Sequence, residues 1–169
     1  MTVNASMAEL LDGASVVVCC GSGGVGKTTM AAVLALEAAR RGRRVVVVTI
    51  DPARRLADAL GLPDGLRGDP QRIATSSDAG GAGGGRGELW AMMLDTPAMF
   101  ERVVRAHAGD AEQAARIVEN RFYRNIANAL SGTQEYMASE ALFELHADPR
   151  FDLVVVDTPP SRNALDFLE

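Results

Sequence analysis

Three stretches of this chain are apolar without alternation, and they organise everything between them: residues 15–20, 45–50 and 151–156. Such short runs, rich in β-branched residues, read as strands covered on both faces, as in a parallel sheet. Residues 88–94 make a fourth candidate strand, ending at Asp95. The runs at 45–50 and 151–156 are each followed by an aspartate, Asp51 and Asp157. Open α/β sheets bind ligands outside the carboxyl ends of their strands. Both carboxylates are therefore expected on the edge where the first strand also ends.

Between the strands the pattern turns helical. Residues 29–41 predict a helix stopped by Gly42, and residues 54–60 a short one stopped by Gly61 with Pro63 beyond. Thr96-Pro97 opens another, with Met99, Phe100, Val103 and Val104 on one face. Residues 111–130 carry Val118, Phe122, Ile126 and Leu130 on a stripe, and residues 133–146 carry Met137, Ala141, Leu142 and Leu145. These helices predict a contiguous helical insertion at about 97–147, before the last apolar strand. Residues 78–87, with the run GGAGGG, read as a flexible, exposed linker. The fold class expected is α/β: a mainly parallel sheet flanked by helices, in a single domain over residues 1–169.

Bulk properties narrow the partners. A net charge of -5 and a pI near 5.1 argue against a nucleic acid held mainly by charge. No apolar stretch reaches the length of a membrane span, and the first residues, MTVNASMAELLDG, lack the basic start of a secretory signal. The two cysteines, Cys19 and Cys20, are neighbours in a strand and face opposite ways. They suit neither a disulfide nor a shared metal site and read as small buried hydrophobes. With no cysteine framework, a cytoplasmic location is expected. His107 and His146 sit on predicted helices without a second ligand at metal spacing and read as surface or helix-end residues.

The chemistry concentrates after the first strand. Residues 21–29 read GSGGVGKTT, which satisfies G-x-x-x-x-G-K-[ST] from Gly21 through Thr28. A glycine-rich turn between strand and helix aims backbone N–H groups, and the positive end of the helix, at one point. Polyphosphate is the guest this suits. Gly21, Ser22, Gly23, Gly24, Val25 and Gly26 would wrap it, and Lys27 would reach the β- and γ-phosphates. Thr28 would offer its hydroxyl to Mg²⁺, and Thr29 would stand near the α-phosphate. Asp157 ends its strand as a carboxylate that holds Mg²⁺ should, directly or through water. Asp51-Pro52 admits two readings: a carboxylate that orients the attacking water, or an N-cap for the helix beginning near Pro52.

With these segments in hand, the chain resembles the ArsA-type ATPases, P-loop NTPases related to the ParA and MinD proteins. The carrying residues are GSGGVGKTT at 21–29, DPARRLADALGL at 51–62 and DTPPSRNALDFL at 157–168. The family patterns are close to GKGGVGKT, DPAHSLSDAF and DTAPTGHTLRFL. The resemblance implies a P-loop NTPase fold, ATP and Mg²⁺ as cofactors, and hydrolysis used as a conformational switch. It places Asp51 in switch I, positioning the water, and Asp157 in switch II, coupled to Mg²⁺. It implies a homodimer, or a heterodimer with a paralogous ATPase, and work in membrane-protein targeting or anion transport.

Three departures stand out. The family's signature lysine, five residues before the P-loop lysine, is here Ser22. A serine supplies no charge to a partner's phosphates, so another cation substitutes, with Arg54, Arg55 and Arg162 as candidates, or that activation is absent. Arg54 replaces the switch I histidine, and the sequence stops at Glu169, just after switch II, reading as an N-terminal portion. The alternative function is a nucleotide-binding interaction module with little turnover, one half of a heterodimer. Met92, Met93, Met99 and Met137 would suit an adaptable groove for a client, or simply the core.

Overall fold

The computed structural model describes residues 6–51, 53–73, 87–120 and 133–160. In chain order they form α1 (Met7–Gly13), β1 (Val16–Cys19), α2 (Lys27–Arg40), β2 (Arg44–Thr49), α3 (Arg55–Ala59), β3 (Gln71–Ile73), β4 (Glu88–Met93), α4 (Thr96–His107), α5 (Ala111–Glu119), α6 (Thr133–Ala147) and β5 (Leu153–Asp157). The strands make a five-stranded sheet in the order β1-β5-β2-β4-β3. Neighbours are parallel except β3, which runs antiparallel to β4 at the edge.

The apolar runs of β2 and β5 have the cause the sequence suggests, because successive side chains enter different cores; β1 departs from it, with Val16 exposed and Val17, Val18 and Cys19 half-buried. Val45, Val47, Leu153 and Val155 join one core with the alanines of α2. Val46, Val48, Val154 and Val156 join the other, with Met99 of α4 and Met137, Ala138, Ala141 and Leu145 of α6. Buried Ala31, Ala35, Ala38 and Ala39 give α2 a surface with no side chain beyond Cβ, so it lies close on the sheet. Met92, Met99 and Met137 are buried core residues and offer no groove.

Several expectations need correction. Helix α2 begins at Lys27 rather than residue 29, so Lys27 and Thr28 belong to its first turn. Helix α5 ends at Glu119, where Asn120 is extended; Phe122, Ile126 and Leu130 lie outside the described residues, as do residues 78–86 of the expected linker. Gly87 is buried instead of exposed. A Cβ there would run into the carbonyl oxygen of Ala39 and come within 2.9 Å of that of Arg43, so the entry to β4 is wedged against the end of α2. Cys19 and Cys20 are half-buried rather than buried.

Two elements were missed. Helix α1 opens with a capping box: Ser6 Oγ accepts the Glu9 N–H at 3.2 Å, and the Ser6 N–H donates to Glu9 Oε2 at 2.7 Å. Strand β3 has three residues and no alternation to announce it. At the end of the sheet opposite the aspartates, Arg43 donates to the carbonyls of Leu11 at 2.5 Å and Ala14 at 2.7 Å, and to that of Asp152. One guanidinium thereby ties α1 to the start of β5.

Candidate functional site

Parallel pairing sets the site's geometry. Cys19 at the end of β1 and Thr49 at the end of β2 are both in register with Asp157 at the end of β5. The loop after β1, the segment after β2 and the carboxylate ending β5 therefore meet on one edge. Gly24 and Gly26 turn the first loop with φ of 78° and 88°, left-handed values that a side chain resists. Gly26 is the N-cap of α2 and has no side chain to cap it. The first N–H groups of that helix are thus directed into the loop's concavity.

Lys27 Nζ donates to the Ser22 carbonyl at 2.9 Å, which folds the lysine back over its own loop. Thr28 Oγ1 donates to Asp157 Oδ1 at 3.2 Å. Thr49 Oγ1 donates to Asp157 Oδ2 at 3.1 Å and accepts the Asp51 N–H at 3.2 Å. Asp157 is 1% exposed. Burial holds its carboxyl above the usual carboxylate range, the Thr28 and Thr49 hydroxyls draw it back down, and Asp51 pushes it up. Beyond it, Thr158 Oγ1 donates to the Cys19 carbonyl at 2.8 Å, and Pro160 packs beside Gly23.

The structure corrects the N-cap reading of Asp51: the N-cap of α3 is Arg54, which makes no side-chain cap bond, and the Asp51 carboxylate lies ahead of the helix. Oδ1 accepts the Ala53 N–H at 2.9 Å, bracing the turn into α3, while Oδ2 pairs with Arg55 Nη1 at 3.1 Å. Pro52 lies outside the described residues. The Arg55 side chain is 62% exposed and that of Asp51 17%. Arg54 points elsewhere: its guanidinium lies over Gly65 and donates to the Pro63 carbonyl.

A cleft of about 560 Å³ opens over the loop, the size of a small-molecule site. Gly23, Gly24, Gly26, Lys27, Thr28 and Thr29 of the loop and first helical turn line it, together with Arg55, Asp58, Ala59 and Pro160. Of the residues singled out in the sequence, Thr28 and Asp157 are in direct contact, and Asp51 joins them through Thr49. Thr49 was missed because a threonine inside a β-branched run reads as a strand residue. Its position one place before the end of the run, beside a carboxylate strand end, was the available signal.

Other candidates fall away from this edge. His107 and His146 are exposed; one bonds the Val103 carbonyl of its own helix, the other the Ser15 hydroxyl. Burial, then Asp157 and Cys20, push the Cys19 thiol up to about 11, so it is a poor nucleophile at neutral pH.

The family profile described as anion-transporting ATPase matches residues 14–169, from the first strand through both aspartates. The chain belongs to this ArsA-type ATPase family. Its α/β sheet and glycine-rich loop are those of a P-loop NTPase. Protein Rv2184c of Mycobacterium tuberculosis is 38% identical over 159 residues, which cover 88% of this chain and 35% of that protein. ATPase GET3 of Malassezia globosa is 30% identical over 150 residues, 89% of this chain and 40% of the relative. ATPase get3 of Aspergillus terreus is 29% identical over 152 residues, 88% and 41% respectively. The chain thus spans well under half the length of these ArsA-type relatives. Among the described residues, no helix is long and apolar enough to cross a membrane.

Proposed function

We propose that the protein binds ATP with Mg²⁺ in this cleft and hydrolyses it, using the gain and loss of the γ-phosphate as a conformational switch. The observation that carries the reading is the hydrogen-bonded path Thr28–Asp157–Thr49–Asp51. It joins the hydroxyl beside the metal position to the carboxylate beside the water position. A change at the phosphates is felt at both segments, the physical basis of a switch that relaxes when phosphate leaves.

The donors suit the cation. Thr28 Oγ1, in the cleft's lining, and Asp157 Oδ1, bonded to it from behind, are hard oxygens, and Mg²⁺ is held by one or two such groups together with phosphates and water. Bound there, Mg²⁺ would neutralise charge on the β- and γ-phosphates. Lys27 would leave the Ser22 carbonyl for those phosphates, the backbone of residues 21–26 would wrap them, and Thr29 would face the α-phosphate. Asp51 would accept a hydrogen bond from the attacking water and orient it.

Ser22 favours a second reading, a nucleotide-binding module with little turnover that works as one half of a heterodimer. In either case we infer a dimer, with a second copy or a paralogue. Targeting of a membrane-protein client or anion transport rests on the family alone. Asp51→Asn separates the readings. Under hydrolysis, the intact variant binds ATP while phosphate release falls about a hundredfold. Equal, negligible release by wild type and variant would support the binding module.

A further inference from the structure

The cleft contains a cation that the family pattern does not supply. In the segment DPARRLADAL, position 55 is arginine, where the pattern DPAHSLSDAF has serine. Ser22, where that pattern's lysine would stand, offers only a backbone carbonyl to Lys27. Of the other two candidate arginines, Arg54 is committed to the Pro63 carbonyl and the surface of Gly65, and Arg162 lies outside the described residues. Arg55 lines the same cleft as Lys27, Thr28 and Thr29, and its guanidinium is held by Asp51 Oδ2 at 3.1 Å.

Resting on the reading of this cleft as an ATP site, we infer that Arg55 is a phosphate-sensing arginine supplied from within the chain. In the nucleotide-free protein its guanidinium is parked on Asp51. When ATP occupies the cleft, Arg55 exchanges the Asp51 carboxylate for oxygens of the γ-phosphate. The exchange is downhill, because a planar guanidinium forms its strongest paired hydrogen bonds with multiply charged phosphate. The bond given up is solvated at its Arg55 end, where the side chain is 62% exposed against 17% for Asp51, so water takes the guanidinium's place readily.

The exchange has a consequence for Asp51. While it holds Arg55, Oδ2 is occupied and cannot accept a hydrogen bond from water in that direction. Transfer of Arg55 to phosphate frees that oxygen, while Oδ1 stays fixed on the Ala53 N–H. The water-orienting group is thereby released only when a γ-phosphate is present.

The test is equilibrium binding of a non-hydrolysable ATP analogue and of ADP, each with Mg²⁺, to the intact protein and its Arg55→Ala, Arg55→Lys, Asp51→Asn and doubly substituted forms. Arg55→Ala is expected to weaken the analogue about tenfold or more while ADP changes less than about twofold. Arg55→Lys should recover part of the loss. Asp51→Asn should tighten the analogue several-fold, because Arg55 no longer has a competing partner, and this gain should vanish in the Arg55→Ala background. Equal losses for analogue and ADP, no loss for either, or tightening by Asp51→Asn that survives removal of Arg55 overturns the inference alone. A wild-type protein that binds neither nucleotide overturns the ATP-site reading and the inference with it.

Discussion

Thr49 Oγ1 donates to Asp157 Oδ2 at 3.1 Å and, through the same oxygen, accepts the backbone N–H of Asp51 at 3.2 Å. A single strand-end hydroxyl therefore sits between the two acidic segments of the cleft. Thr49→Val keeps the shape and β-branching but removes both bonds. A hydrogen bond to a buried carboxylate is worth about 2 kcal/mol, so the variant should lose about that much stability by denaturant unfolding. Phosphate release should fall more than nucleotide affinity, because the loop around Lys27 is untouched. Wild-type stability and turnover in Thr49→Val would show that the bridge is incidental.

Asp157 gives a pH-dependent prediction. Burial, the largest influence, raises its pKa in the folded chain above the unfolded value. Stability tied to such a group is complete below the unfolded pKa and is lost as pH rises through the folded one. At neutral pH the ionised Asp157 thus costs stability in the absence of nucleotide and metal. Asp157→Asn should melt above wild type at about pH 7, with the gap closing toward about pH 4. Its Mg²⁺-dependent nucleotide affinity should fall about tenfold or more. Asp152, whose pKa is lowered chiefly by its Arg44 hydrogen bonds, destabilises both proteins equally in acid and cancels in the difference. A variant that melts below wild type at neutral pH contradicts this account of the site.

Gly87 tests how the sheet meets α2. With the Ala39 and Arg43 carbonyls against its Cα, Gly87→Ala forces the strand and the helix end apart. The expected loss is about 3 kcal/mol, read by denaturant titration. An alanine tolerated within about 0.5 kcal/mol would mean that β4 enters the sheet differently.

How far the sequence carried depends on the kind of signal. Strands β2 and β5 were legible because Val45–Val48 and Val154–Val156 are buried on both faces, which leaves no room for polar alternation; β1 and β4 were legible as apolar runs although they are only partly buried. The loop was legible because phosphate binding demands glycines and a lysine at fixed spacing. Asp51 and Asp157 were legible as residues closing apolar runs. Thr49 was not, because β-branching suits a strand whatever its hydroxyl does. Gly87 was read as linker because its glycine-rich surroundings mask the one glycine required by a close approach. Ser6 and Glu9 did carry a capping signal for α1, but the segment was weighed only as a leader. Arg55 was one of three equal candidates until the fold sent Arg54 to Pro63 and left Arg55 in the cleft.

The central claim, ATP hydrolysis at the loop of residues 21–29, is tested most directly by phosphate release from the intact protein with ATP and Mg²⁺, wild type against Lys27→Ala. Without Lys27 the β- and γ-phosphates lose the cation that now rests on the Ser22 carbonyl. Turnover by wild type and at least about a hundredfold loss in the variant are expected. Lys27→Ala protein releasing phosphate at the wild-type rate would contradict it.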